Sequence, residues 1–162
     1  NDVKVLGIDI EASSDGDIAL KSVKVSFDST GNTGSDNLDD YIDSVSVMLG
    51  STEVGSADVS DFTESSGVFS KSITLSGATT IRAEEVAKLY ILVSAVGNID
   101  SGDISGDSWT VDIDNVRFVD GGGVTTTDAG GRCRKYIAVH IGSRRASELS
   151  GTFAVHEARQ GV

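Results

Sequence analysis

Apolar residues recur at every second position along most of this chain, in short runs separated by clusters of Asp, Gly, Ser and Thr. Such alternation sets one face of a run against a core and the other in water, as half-buried β-strands require. Val3, Val5, Ile8 and Ile10 form the first run, with a phase shift near Leu6 and Gly7 that predicts a bulge. Ile18 and Leu20, then Val23, Val25 and Phe27, form a second, out of step by one residue at Ser22. Ile42, Val45, Val47 and Leu49 follow, then a short polar hairpin candidate across residues 54–59, and then Phe69, Ile73 and Leu75. Residues 88–96 are the most apolar stretch and predict a central strand buried on both faces. Trp109, Val111 and Ile113 lead into Val116 and Phe118, with a slip at Asp114 and Asn115. Trp109 alternates in phase with its apolar neighbours, so it is expected in the core.

Only residues 81–89 compete as helix, with Thr80 as a cap and Glu84 near the capping-box position. A single helical turn or a loop is expected there. With 19 Gly, no Pro and small polar residues between the runs, the chain suits many short strands joined by turns. Without a βαβ rhythm, this spacing predicts an all-β fold, a two-sheet antiparallel sandwich of jelly-roll or immunoglobulin-like type. The Cys-Trp-Cys signature of true immunoglobulin domains is absent, because Cys133 is the only cysteine. It excludes an internal disulfide and leaves a buried thiol or an intermolecular bridge.

Charge divides the chain. Residues 1–128 carry 23 acidic and seven basic side chains, a net of −16, whereas residues 129–162 carry two acidic and six basic ones, a net of +4. A Gly/Thr-rich stretch at 120–131 lies between them and reads as a hinge. The expected organisation is a body at 1–119, the hinge, and a basic strand-forming arm at 132–162. So acidic a body excludes nucleic acid as its partner, since phosphate recognition needs clustered Lys and Arg. No run approaches the 18 or so apolar residues of a membrane span, so no membrane insertion is expected. Low Lys, abundant Asp, Ser, Thr and Gly, and an opening that reads directly as a strand predict a processed chain at the cell surface or outside the cell.

Catalytic chemistry has no foothold. His140 and His156 are the only histidines, and neither stands in a metalloprotease, nucleophile-elbow or redox motif; an enzyme is not expected. Two loops are instead dense in hard oxygen donors. Asp28, Asp36, Asp39 and Asp40 lie in one, and Asp100, Asp103 and Asp107 in the other, all candidate calcium ligands. No cofactor is required by the sequence; calcium is the one candidate.

The run Trp109-Thr110-Val111-Asp112-Ile113-Asp114-Asn115-Val116 resembles the closing strand of jelly-roll carbohydrate-binding modules. That resemblance implies surface glycans as a partner, with an adhesion module as the alternative function. In general plan the chain resembles secreted β-sandwich subunits of microbial pilus-like filaments assembled by strand donation. Two runs in the arm supply donor strands, Tyr136, Ile137, Val139 and Ile141 in one and Phe153 and Val155 in the other. Extended, the 12-residue hinge reaches about 40 Å, enough to leave one sandwich for the next. Strand addition satisfies backbone groups on both partners, and a non-closing contact propagates as a filament. The expected function is therefore a structural subunit whose partners are copies of itself, with residues 3–10 as the other candidate donor.

Overall fold

The computed structural model describes residues 2–97, 107–129 and 134–137, the last four by their backbone path alone. Eleven strands follow one another among these residues, and no α-helix. They are β1 (Asp2–Glu11), β2 (Ile18–Asp28), β3 (Ile42–Leu49), β4 (Thr52–Asp58), β5 (Thr63–Ser65) and β6 (Val68–Thr74). After them come β7 (Thr80–Ile81), β8 (Val86–Ala95), β9 (Trp109–Val119), β10 (Thr125–Asp128) and β11 (Arg134–Ile137).

Two antiparallel sheets result. One has the order β1-β8-β3-β4; the other runs β10-β9-β2-β6-β5, with β7 extending the β6 side of β2 and β11 continuing the β10 side of β9. The apolar members of each alternation meet between the sheets: Leu20, Val23, Val25 and Phe27 from β2 face Val45, Val47, Leu89 and Ile91 from the other sheet. All eight are essentially inaccessible to water. Edge-to-face contacts of Trp109 with Tyr41 and Phe69, and of Phe27 with Phe62, fill the upper end of this core. The all-β sandwich expected from the alternation is thus the observed architecture.

The three phase shifts are register breaks. β1 slips against β8 between Lys4 and Leu6, and β2 slips against β9 between Leu20 and Ser22 and again opposite Asp114. Each extra residue lets the next apolar side chain return to the inner face.

Two expectations are corrected, and of the two readings of the segment before β8 the loop, at residues 82–85, is the one observed. Residues 81–89 hold no helical turn: Glu84 takes a left-handed φ of 64°, its N–H donates to the Ala12 carbonyl, and the Ala12 N–H donates to the Glu85 carbonyl. These bonds extend the β1–β8 ladder, so the backbone groups a helix would need are engaged elsewhere. β8 is central in its sheet, but it buries Leu89, Ile91 and Val93 on one face only, with Tyr90 and Leu92 half-buried on the other. The stretch read as a hinge contains β10, paired with β9 from Thr125 opposite Val119 to Asp128 opposite Val116. Its four exposed polar side chains carry no alternation. Backbone pairing alone makes it a strand, after a turn in which the Asp120 carboxylate accepts from the N–H groups of Gly122 and Val124, each at 2.9 Å.

Candidate functional site

The two long sides of the sandwich differ. On one, β4 closes against β6. A Cβ built on Gly55 would lie 2.7 Å from the Thr74 carbonyl oxygen, so only glycine permits this approach. The Ser76 N–H donates to the Val54 carbonyl at 2.8 Å, tying the sheets together there. Lys71 sits at the β6 edge within 3.6 Å of Asp61, and a charge at such an edge discourages further strand pairing.

The other side stays open. β1 is the last strand of its sheet and lies over β9, whereas the opposite sheet continues one lane further into β10 and β11. Among the described residues, the lane beside β1 that would face β10 and β11 holds no strand. Beneath it runs a groove of ≈ 410 Å³, walled by Ile8, Ile10, Ile18, Leu20, Ile113, Val116 and Phe118 and rimmed by Asp9, Glu11 and Asp128. Ile8, Ile10, Ile18 and Phe118 are only partly buried against the core. Lys88 bridges Asp9 at 2.7 Å across the outer face, and Asp9 holds the Lys88 ammonium above its usual range.

Strand polarity fixes where this groove lies along the molecule. β9 descends from Trp109, beside Tyr41 at the upper end, to the 120–124 turn at the lower end. β1 descends in parallel sense, from Asp2 opposite Ser94 to Glu11 opposite Val86. The groove therefore occupies the lower half. β10 and β11 ascend again, and β11 ends with Ile137 opposite Trp109, at the upper end.

Of the acidic loop residues named as candidate calcium ligands, Asp107 is bound within the protein. Asp107 is only 4% exposed, and its carboxylate accepts from the Thr33 and Gly34 N–H groups at 2.9 Å each and from the Tyr41 hydroxyl at 2.6 Å. Next to it the Ser108 N–H donates to the Asn32 side-chain oxygen at 2.8 Å. This clamp ties the 28–41 loop to the start of β9. The Tyr41 bond, followed by the backbone N–H groups of Gly34 and Thr33, holds the Asp107 carboxyl below the usual carboxylate range. Burial, then the bond to Asp107, pushes the Tyr41 hydroxyl up.

Asp28 accepts from the Thr30 N–H and hydroxyl, and Asp40 accepts from the Ser35 hydroxyl; Asp36 and Asp39 are exposed. Among the described residues no three His, Cys, Asp or Glu side chains converge as metal ligands. Asp100 and Asp103 lie outside the described residues, as do Val139, Ile141, Phe153 and Val155. Tyr136 and Ile137 fall in β11, paired with Thr110 and Trp109 of the same chain. Trp109, at 2% exposure, presents no face on which a sugar ring could stack.

The groove is not legible in the sequence, because its residues come from four strands and nothing local tells which sheet is one strand short. The Asp107–Tyr41 clamp joins residues 66 apart and is equally non-local. Comparison with family models, with curated proteins and with solved structures returns no match to this chain.

Proposed function

We propose that this protein is a structural subunit of an extracellular filament, growing head to tail as copies of itself exchange a strand. The observation that carries this reading is the unfilled lane beside β1, with its apolar groove beneath. A sheet edge left open over partly buried isoleucines is a template for another strand, and its occupation would remove both unpaired backbone groups and apolar surface from water. On the opposite side β4 is drawn against β6 at Gly55, which favours additions on the β1 side.

Charge supports the same reading. The net of −16 over residues 1–128 keeps copies apart, and the basic residues after 129 supply the attraction that joins them. No helix among the described residues is long and apolar enough to cross a membrane. The composition, low in Lys and rich in Asp, Ser and Thr, supports a setting at the cell surface.

Negative-stain electron microscopy and light scattering on the full chain provide the test. Filaments that lengthen with protein concentration are expected. A species that remains monomeric up to millimolar concentration, at low and physiological salt alike, would remove the basis for this function.

A further inference from the structure

The lane beside β1 has a lower half lined with isoleucine and an upper end where the described chain leaves β11 at Ile137. We propose that this lane is filled by residues 151–156 of a second copy of the chain, with Phe153 and Val155 as the side chains that enter the groove. The inference rests on the filament reading and specifies its acceptor and its donor.

Polarity comes first. In any one copy the exit from β11 and the groove stand toward opposite ends of the sandwich. When copies stack in one direction, the upper end of one meets the lower end of the next, and the exit of the first lies nearest the groove of the second. That contact joins two different surfaces and does not close on itself, so it repeats without limit.

Reach comes second. Residues 138–150 separate Ile137 from the second apolar run, and 13 extended residues span up to about 43 Å. That exceeds the length of β9, eleven residues or about 36 Å, so the run can arrive at the lower half of a neighbour.

Chemistry comes third. In Gly151-Thr152-Phe153-Ala154-Val155-His156 the two large apolar residues stand two apart, so a strand carries both on one face. The groove offers Ile8 and Ile10 at the same two-residue spacing on β1, with Ile18 and Phe118 across from them. Its rim of Glu11 and Asp128, with Asp9 bridged to Lys88, faces a donor in residues 142–162, where Arg144, Arg145 and Arg159 outnumber Glu148 and Glu157 for a net of +1. The first apolar run is the poorer donor, because its opening residues, 134–137, already pair with β9 of their own chain.

Cysteine trapping in the full chain tests this directly. In a Cys133→Ser background, Ile10→Cys is combined with Phe153→Cys, and the oxidised protein is run on a non-reducing gel. Glu11→Cys with Thr152→Cys serves as a second pair, one position along the same antiparallel register, whose two members both stand on the outer face and leave the core intact. A ladder of dimers, trimers and longer species is expected from either pair, collapsing on reduction. As an independent readout, Phe153→Asp should raise the concentration for half-assembly at least about tenfold without lowering the melting temperature of the body.

A monomer closed by its own disulfide would overturn the proposal, since the arm would then fill its own lane. Filaments that form without any cross-link from either pair would overturn the assignment of groove and donor while leaving the filament reading standing. Absence of both cross-links and filaments would overturn the two together.

Discussion

Replacing Asp107 removes the one buried carboxylate that joins the 28–41 loop to β9, and the cost can be worked from its three donors. The Tyr41 hydroxyl, on a residue that is 4% exposed, donates to Asp107 at 2.6 Å and has the Ser35 carbonyl at 3.0 Å as its other acceptor, so it exchanges a charged acceptor for a neutral one. Losing a bond to a charged group in this way costs about 1–2 kcal/mol. Thr33 and Gly34 are exposed, and water can reach their N–H groups, so each contributes toward the lower end of that range. Desolvation of the carboxylate offsets part of the total. The expected destabilisation for Asp107→Ala is about 2 kcal/mol, and for Asp107→Asn, which keeps one acceptor oxygen, about half as much. For a chain of this size about 2 kcal/mol lowers Tm by roughly 4–8 °C. The pH dependence has a definite sign. The Asp107 carboxyl is held below its ordinary range, so its contribution is complete above the unfolded pKa of about 4 and is lost as pH falls through the lower folded value. Thermal melts of wild type and Asp107→Asn should therefore differ most at pH 5–7 and converge as pH drops from about 4 toward 2. Equal Tm values at pH 7, or a gap that persists unchanged at pH 2, would refute the clamp.

Three further outcomes follow from the same geometry. Gly55→Ala should destabilise by about 1–3 kcal/mol, because its Cβ meets a backbone carbonyl at 2.7 Å that cannot move without parting the sheets. Gly7→Ala, whose Cβ would meet the Tyr90 ring at 2.9 Å, should cost less in the same melts, since a side chain can turn aside. Deleting residues 138–162 should leave a folded monomer that no longer elongates, whereas full-length protein assembles more slowly at 0.5 M salt than at 0.05 M. Screening shortens to a few ångströms at such salt and removes the attraction between arm and body, while the buried strand contact remains, so filaments already formed should persist.

The strands and their bulges were legible because both depend on which residues must face the core. Lys4 to Leu6, Ser22 and Asp114 each break an alternation, and each break is a register shift in the sheets. Trp109 was legible as core for the same reason. β10 was not, since Thr125–Asp128 buries nothing and is held by backbone bonds to β9. Thr80 and Glu84 resemble a helix start, yet Ala12, some 70 residues away, takes the backbone bonds of Glu84 and Glu85, and residues 82–85 form a loop between β7 and β8. Asp107 had the composition of a calcium loop around it, and its partner Tyr41 lies too far along the chain for any local pattern to pair them.

The contrast between the two sides of the sandwich bears most directly on assembly. A glycine inside β4 costs conformational entropy and contributes no packing, yet here it lets β4 approach within contact of Thr74 and seal that side. Nothing equivalent brings β1 down onto β10. Ile8 and Ile10 instead stand half-buried at a free edge, where aspartate or lysine would have blunted pairing at little cost to the core. The outward residues of the same strand, Lys4, Asp9 and Glu11, are charged, so its solvent face is made soluble while its inner face and its edge are left able to pair. A strand protected against sideways aggregation by its outer charges, but open along one lane, restricts association to partners that arrive edge-on with apolar residues two apart. Residues 151–156 meet that requirement. If the open lane is instead incidental, Ile10→Lys should leave assembly unchanged; as an acceptor wall, it should abolish elongation while the far-ultraviolet β spectrum stays the same.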